Sequence, residues 1–278
     1  MKQELFECFY HYFEIIEADT DELRDEVYRL RYQIYCIENN FENPDDFPDK
    51  READRYDKRS IHALIRHKQS GLNAATVRLV LNDLEAEAIF PIETHCYHGK
   101  EQPARLHIEE HCLRGHQAYG IDLDALPRKH IAEISRFAIS KHFKRRIGEA
   151  TTEAGVGSDT ELFCQQKGFR LLPHISLGLL AALLKMSKKN DIHYWYAIME
   201  PSLLRLLSQF GVQFMNLGGL VEYFGKRQPC FADVKKMSAY MHENRREVWD
   251  LLTDKGKVCA MQGEHPFKEK EALSSSAD

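Results

Sequence analysis

The sequence lacks the cysteine patterns that build disulfide frameworks or zinc sites. Its seven cysteines are scattered through 278 residues, and none of them forms a C-x-x-C pair. An odd, dispersed set of cysteines favours free thiols in a reducing compartment. A chain of this length can bury roughly 75% of its unfolded surface, so its core does not need disulfide bonds for stability. We therefore expect a cytoplasmic protein.

The sequence also lacks the features of exported, membrane-spanning and nucleic-acid-binding proteins. The N-terminus has no basic region followed by an apolar one, which argues against a signal peptide. The longest apolar run, at 175–184, has about ten residues, whereas a membrane span needs about twenty. Asp and Glu outnumber Lys and Arg by 43 to 38, giving a net charge of −5. An acidic balance of this kind does not suit a general nucleic-acid binder.

Hydrophobic periodicity predicts strands and helices in the order β-α-β-β followed by β-α-β-α-β. The predicted strands are 13–18, 61–67, 74–81, 130–140, 193–199 and 212–224. The predicted helices are 3–13, one that follows a capping pair at Asp19 and Glu22, 174–188, 201–210 and 231–252. A long loop is expected at 37–59 and an insertion at 85–129. No composition change marks a boundary, so we predict one domain over 1–265 and a disordered Ser-rich tail over 266–278.

Several charged residues lie inside or beside segments whose apolar composition otherwise predicts burial. Arg78 lies in the strand-like TVRLV, and Arg136 lies in EISRFAIS. Arg and Glu rarely enter apolar surroundings unless they are paired. The charges are balanced and come from four separate segments: Arg31, Arg78 and Arg136 against Asp54, Asp57 and Glu133. This pattern predicts a buried polar site assembled from distant parts of the chain.

These segments resemble the N-acyl-homoserine-lactone (autoinducer) synthase branch of the GNAT-type N-acyltransferases. That branch has an Arg and an aromatic residue four apart on its first helix, an acid pair three apart, an Arg on the third strand and Glu-x-x-Arg on the fourth. The matching residues here are Arg31, Tyr35, Asp54, Asp57, Arg78, Glu133 and Arg136. The runs YWYAIMEPSLLRLLSQFGVQF and LVEYFGKRQPCF are more similar to exosortase-associated (PEP-CTERM system) acyltransferases and their N-acyl amino acid synthase relatives. The resemblance covers residues 12–230.

The resemblance implies an α/β (α+β) GNAT-type acyltransferase fold. Its mixed, mostly antiparallel central sheet would be flanked by helices, and its fourth and fifth strands, 132–140 and 194–199, would splay apart. An acyl-phosphopantetheine donor, carried by acyl-carrier protein or by coenzyme A, would lie in the splay, and no cofactor would be bound permanently. Such transfer requires no nucleophile triad, and the sequence has no G-x-S-x-G motif.

The resemblance also implies a catalytic group made of Glu133, Arg136 and Arg31. The attacking amine must be neutral, so a group near it must accept its proton. Glu133 is the candidate base, because burial would raise its pKa while Arg136 and Arg31 would lower it again. The alternative is that Glu133 forms a structural ion pair.

The implied acceptor site combines aromatic, acidic and arginine side chains. Its members are Tyr35, Phe41, Asp54, Asp57 and Arg78. The two acids would attract a cationic amine, or they would belong to a solvated loop. Arg78 and Arg136 would hold an acceptor carboxylate by bidentate contacts, or they would pair with the acids. Autoinducer synthases have Trp where this sequence has Phe41, and the longer insertion at 85–129 and the extra C-terminal helix after Phe231 also depart from them. These departures favour an amino acid or other small amine over S-adenosylmethionine.

A basic segment follows the predicted fourth strand. Residues 145–150 fit R-x-x-G-x-A, the pattern with which GNAT enzymes cradle pyrophosphate on backbone N–H groups. The predicted donor-binding residues are Lys141, Lys144, Arg145, Arg146 and Gly148. Their positive charge also suits an acidic acyl-carrier protein as partner. A solvated basic turn is the alternative.

The helix predicted at 174–188 offers more apolar surface than one core-facing stripe needs. Leu180 and its neighbours would either line a tunnel for a long acyl chain or belong to the ordinary core.

The segment HIEEH at 107–111 fits the inverted zinc-protease pattern H-x-x-E-H. A chain with 14 histidines produces such matches by chance. We predict no metal site.

The predicted function is therefore transfer of a long acyl group from acyl-carrier protein or acyl-coenzyme A to the amine of an amino acid or related small acceptor. The alternatives are a lactone-forming autoinducer synthase that uses S-adenosylmethionine and a non-catalytic GNAT scaffold.

Overall fold

The computed structural model describes residues 4–82, 106–111, 117–118, 121–122, 126–144 and 171–258. Most of the predicted insertion and the whole predicted tail at 266–278 lie outside these residues. Cys8, Cys36 and Cys230 are buried free thiols in the described structure. Among the described helices, none combines the length and the apolarity that crossing a bilayer would take.

An eight-stranded sheet forms the centre of the described structure. Its strands are β1 (Phe13–Glu17), β2 (Ser60–His67), β3 (Asn73–Leu81), β4 (Ile131–Ile139), β5 (Tyr194–Met199), β6 (Met215–Asn216), β7 (Val221–Glu222) and β8 (Lys226–Asp233). Their order is β1-β2-β3-β4-β5-β8-β6, and β7 pairs with β8. Within this sheet β4 and β5 are parallel and the other pairs are antiparallel. The predicted mixed, mostly antiparallel sheet is confirmed.

Helices pack on both faces of the sheet. They are α1 (Glu4–Tyr12), α2 (Asp21–Tyr32), α3 (His107–His111), α4 (Lys141–Lys144), α5 (Leu171–Lys189), α6 (Pro201–Gln209), α7 (Val234–Asn244) and α8 (Arg246–Leu252). A π-helical segment, Gln33–Glu38, continues α2. Single π-helical turns inside helices are frequent at functional sites, and this one carries Tyr35 of the predicted acceptor site.

Helix α2 begins one residue later than the sequence pattern predicted. Thr20 is the N-cap, and its side chain accepts a hydrogen bond from the backbone N–H of Leu23 at 3.3 Å. The predicted Asp19–Glu22 capping pair is therefore wrong. Thr is a preferred N-cap, and Asp21 and Glu22 in the first turn suit the positive end of the helix dipole.

The segment predicted as one helix over 231–252 is a strand followed by two helices. Its first residues, Phe231 to Asp233, complete β8, which pairs with β5. Burial against β5 outweighs their helical periodicity, because cross-strand packing and burial override a weak local preference. Asp233 then caps α7 by accepting from the backbone N–H of Lys236 at 2.9 Å. Arg245, with φ −141° and ψ 58°, separates α7 from α8.

Side-chain alternation gives the sheet two different faces. The α5 face carries Ala132, Ile134, Trp195, Ala197, Cys230 and Ala232, and helix α5 packs against it. The α2 face carries Val80, Ile131, Tyr194, Tyr196 and Phe231 in one cluster and, at β2, Leu64 packed on α2. By alternation, Glu133 lies on the α2 face.

Helix α5 is almost entirely core. The side chains that the sequence offered as a tunnel lining are buried in the main hydrophobic cluster: Ile175, Leu177, Leu179, Leu180, Leu183 and Leu184. Trp195 is in the same cluster and donates a hydrogen bond from Nε1 to Ser187 Oγ at 2.8 Å. A Cβ at Gly178 would overlap the ring of Phe9, so glycine there allows α1 to approach α5 closely. The sequence pattern thus reflected ordinary core packing.

Candidate active site

Three arginines and three carboxylates form a largely buried network on the α2 face. Arg31 donates from Nε to Glu52 Oε2 at 2.6 Å, and from Nη1 and Nη2 to Asp57 Oδ1 and Oδ2 at 2.7 and 3.1 Å. Arg31 is 0% exposed although the helical pattern placed it at the edge of the buried stripe. Its bidentate contact joins α2 to the loop at 37–59.

Arg78 and Arg136 complete the network. Arg78 Nη1 donates to Asp54 Oδ1 at 2.6 Å and to Asp57 Oδ1 at 2.8 Å. Arg136 donates to both oxygens of Glu52, at 2.8 and 3.1 Å, and to Asp54 Oδ2 at 3.0 Å. Three positive charges thus meet three negative ones, which offsets the cost of burying them. The third acid is Glu52, which sequence reasoning left out although it lies two residues before Asp54.

Glu52 and Asp57, the two fully buried acids of the network, are ionised at neutral pH. Burial alone would raise the pKa of Glu52, but Arg136 and Arg31 outweigh it and hold that pKa at about 2. Burial likewise opposes ionisation of Asp57, and Arg31 and Arg78 hold its pKa well below the usual value. His62, 3.5 Å from Asp57, has a pKa lowered to about 3, chiefly by burial, and is neutral.

A β-bulge places Arg136 in this network. Two residues of β4, Arg136 and Phe137, stand opposite the single residue Val77 of β3. Arg136 has a φ of 48°, in the left-handed region that non-glycine residues rarely adopt. In a regular strand Arg136 would share the α5 face with Ile134, whereas the bulge turns it towards the acids. Its ion pairs offset a backbone strain of about 1–3 kcal/mol.

The parallel strands β4 and β5 separate just beyond Glu133. Their pairing runs from Ile131–Tyr194 to Ile134–Ala197 and then ends. The rest of β4 continues to pair with β3, and the rest of β5 continues to pair with β8. The sheet therefore opens here, which confirms the predicted splay.

A cavity of about 470 Å³ occupies the splay. Its polar and aromatic wall includes Tyr35, Phe41, Asp54, Arg78, Glu133 and Arg136 from the predicted set. Its apolar wall includes Ile139, Ile198, Met199, Leu203 and Leu206. Arg31 and Asp57 do not line the cavity and are buried behind it. The structure thus brings most of the predicted site together around one opening.

Glu133 lies apart from the ion network. The backbone N–H of Ile108 in α3 donates to Glu133 Oε2 at 3.0 Å. Burial raises the pKa of Glu133 to about 7, while the hydrogen bond from Ile108 and the charge of Arg78 lower it less. The predicted contacts of Glu133 with Arg31 and Arg136 do not form in the described structure, because Glu52, Asp54 and Asp57 occupy these arginines.

Aromatic rings cover the polar side of the cavity. Arg136 lies 5.0 Å from the ring centre of Tyr35. Phe41 contacts Phe224 with ring centres 5.5 Å apart, and Tyr223 contacts His107 at 4.8 Å. Tyr223 and Phe224 belong to the run LVEYFGKRQPCF that carries the resemblance, which assigned them no role.

Part of the predicted donor-binding segment can be located. Lys141 is exposed at the start of α4, directly after β4. Its backbone N–H donates to Glu38 Oε2 at 2.8 Å, and the hydroxyl of Ser140 donates to Glu38 Oε1 at 2.9 Å. Arg145, Arg146, Gly148 and the side chain of Lys144 lie outside the described residues. Their role stays a prediction.

One side-chain group in the described structure has the ligand types of a metal site. The ligand atoms of His130, Asp191 and His193 lie within 4.8 Å of one another. Asp191 contacts both histidines, whose rings are stacked 4.5 Å apart. The group precedes the paired ends of β4 and β5, opposite the splay. The side chains of Glu110 and His111, from H-x-x-E-H, lie outside the described residues.

Comparison with known proteins agrees with this geometry. Residues 30–152 match the family described as the acetyltransferase (GNAT) domain. The structure of TofI in a ternary complex with an inhibitor and MTA has a TM-score of 0.54 at 16% identity, covering 89% of this chain and 100% of that one. The CoA-dependent acyl-homoserine lactone synthase BjaI, with SAM and isopentyl-CoA, has a TM-score of 0.51 at 17% identity, covering 89% of both chains.

A weaker likeness is to FeeM, an N-acyl amino acid synthase from uncultured soil microbes. Its TM-score is 0.43 at 12% identity, covering 82% of this chain and 94% of that one. No curated protein matches the sequence significantly. The family match at residues 30–152 and the fold therefore support an acyltransferase of the GNAT type.

Proposed function

We propose that this protein transfers an acyl group from a phosphopantetheine thioester to the amine of an amino acid or a related small acceptor. The observation that carries the proposal is the position of Glu133. This carboxyl lies in the cavity wall, one residue before the β4–β5 pairing ends, and its pKa of about 7 suits proton transfer near neutral pH.

The proposed reaction needs few groups. The neutral acceptor nitrogen attacks the thioester carbon, its proton passes to Glu133 directly or through a water, and the C–S bond breaks. The departing thiolate takes up a proton from Glu133 or from water and leaves as the thiol. Beyond Ile134 and Ala197 the facing edges of β4 and β5 are not joined by ladder hydrogen bonds. Either edge can therefore offer a backbone N–H to the carbonyl oxygen as negative charge develops on it.

The two walls of the cavity suggest where each substrate lies. The apolar wall, with Met199, Leu203 and Leu206, would hold the acyl chain of the donor. The opposite wall, with Glu133 and Asp54, would receive a cationic amine. Arg31, Arg78 and Arg136 would act chiefly as positioning residues, since the acids of the network already engage them.

The direct test is product identification. Purified protein would be supplied with acyl-carrier-protein or coenzyme A thioesters and a panel of amines, with mass spectrometry of products and a thiol-release assay. We expect an acyl-amide with an amino acid and loss of activity in Glu133→Gln. A lactone formed from S-adenosylmethionine would identify an autoinducer synthase instead, and absence of thiol release with every amine would indicate a non-catalytic scaffold.

The nature of the donor can be tested at the basic segment. Charge reversal of Lys141, Lys144 and Arg145 should raise KM for an acyl-carrier-protein donor and leave a small acyl-pantetheine donor unchanged. Reversal of the exposed Lys185 on α5 is the matched control. Equal loss with both donors would argue against carrier docking there. The exosortase association and the cytoplasmic location remain predictions from the sequence.

A further inference from the structure

One arginine in the cavity wall stands outside the acid network. Arg227, on β8, lines the same cavity as Glu133. The other two arginines of the wall in the described structure are Arg78 and Arg136, and each binds two carboxylates of the network. Removing either from its acids would leave buried charges uncompensated, which is strongly unfavourable. Neither is therefore suited to exchange its partners for a substrate.

Arg227 is held by a much weaker arrangement. Its Nη2 lies 3.2 Å from Glu200 Oε1, and the Glu200 side chain is 53% exposed while that of Arg227 is 15% exposed. Its Nη1 also donates to the carbonyl of its neighbour Lys226 at 3.3 Å. Ion pairs with a solvent-exposed partner contribute little, because water competes for the exposed group. An anionic ligand in the cavity can replace Glu200 at small cost.

Strand alternation puts Arg227 on the same face as Glu133. Residues 227, 229 and 231 of β8 share one face, and Phe231 packs with Tyr196 on the α2 face. Tyr196 is the register partner of Glu133 across β4–β5. Arg227 therefore faces the acceptor side of the sheet, about 13 Å further along the strands than Glu133. The two groups approach the cavity from opposite ends.

We propose that Arg227 binds an anionic group of the acceptor, a carboxylate, while the acceptor amine faces Glu133. The proposal rests on the proposed function. It assigns a zwitterionic acceptor of the amino-acid class: the ammonium meets the carboxyl groups of Glu133 and Asp54 in the cavity wall, and the carboxylate displaces Glu200 from the guanidinium by a bidentate contact. Arg227 thus takes the carboxylate-binding role that the sequence had suggested for Arg78 and Arg136.

A phosphate of the donor is the other anion that Arg227 could meet. The position of Arg227 on the α2 face favours the acceptor, because Arg227 shares that face with Glu133, which the acceptor amine would meet. The two sources differ in which substrate must carry the anion, so an experiment can separate them.

The test compares Arg227→Ala and Arg227→Gln with Lys226→Ala, a matched exposed cation on the neighbouring position of β8. The acceptors are an amino acid, its carboxamide and the corresponding decarboxylated amine. The donors are acyl-phosphopantetheine and acyl-pantetheine. We expect both Arg227 variants to lower kcat/KM for the amino acid roughly 10²-fold, through KM, and to leave the carboxamide and the amine unchanged. Glu200→Gln should lower KM for the amino acid, and Lys226→Ala should change nothing.

Three outcomes would overturn the inference. Equal loss of kcat/KM on all three acceptors would indicate a structural role for Arg227. The folding control is the thermal unfolding of Arg227→Gln, which should be near that of the unmodified protein. A loss confined to the phosphorylated donor would assign Arg227 to the donor. Equal use of all three acceptors by the unmodified protein would exclude carboxylate recognition. Absence of turnover with every acceptor would instead contradict the proposed function itself.

Discussion

Arg136 and Glu52 form a two-pronged contact between segments 84 residues apart: Nη2 donates to Oε1 at 2.8 Å and Nε to Oε2 at 3.1 Å. The contact joins the bulge of β4 to the loop that precedes β2. It explains how Arg136 can hold a left-handed backbone conformation within a strand. The wall of the cavity therefore depends on this pair for its shape.

Breaking the Arg136–Glu52 pair should strongly destabilise the protein. Arg136→Ala removes one of the two arginines that pair with the buried Glu52. We therefore expect a loss of about 3–5 kcal/mol in the free energy of unfolding, measured with urea at pH 7. The control is Arg29→Ala, which removes the exposed pair with Asp25 and should cost at most about 1 kcal/mol. Similar losses for the two variants would mean that the network contributes no special stability.

Activity should rise with pH through the pKa of Glu133. Burial raises this pKa to about 7, and the base must be deprotonated to accept the amine proton. We expect kcat/KM to increase up to about pH 7 and then level off, and Glu133→Gln to lower it roughly 10²-fold and remove the inflection. An inflection near pH 7 that persists in Glu133→Gln would assign the titration to another group.

The same carboxyl should make stability depend on pH. A carboxyl whose pKa is raised on folding stabilises the fold below its unfolded pKa of 4.5, and this contribution is lost as pH rises through about 7. Between pH 5 and pH 8 the free energy of unfolding of the unmodified protein should therefore fall by up to about 3 kcal/mol. The Glu133→Gln variant should not show this decrease. Parallel stability–pH curves for the two proteins, from urea titrations, would show that Glu133 is not desolvated.

Donor chain length should be set by α6 and not by α5. Leu203 and Leu206 line the cavity, whereas Leu180 is buried in the core. Leu206→Trp should shift the optimum of kcat/KM towards shorter acyl chains, because each methylene that no longer fits in the cavity loses about 0.8 kcal/mol of binding free energy. Leu180→Trp should overpack the core and cost about 1–3 kcal/mol of stability. An unchanged chain-length profile in Leu206→Trp would place the chain elsewhere.

The sequence by itself determined that buried charges had to meet. Arg78 and Arg136 lie in apolar strands, and such residues are stable only if acids from elsewhere pair with them. The alternating and helical periodicities likewise predicted most strands and helices, because side-chain burial follows the local repeat. The resemblance in residue order and spacing then pointed to the GNAT fold and its splayed strands.

Only the tertiary structure decided which partner each charge takes and which face each side chain uses. Glu52 joins the network because the bulge at Arg136 turns the guanidinium towards the loop, and Glu133 stays outside because the other acids already occupy the arginines. Phe231 belongs to a strand, since pairing with β5 outweighs the helical period that its own segment shows. Arg227 reaches the cavity because β8 lies next to β5. Each of these outcomes depends on contacts between residues far apart in the chain, which a local repeat cannot specify.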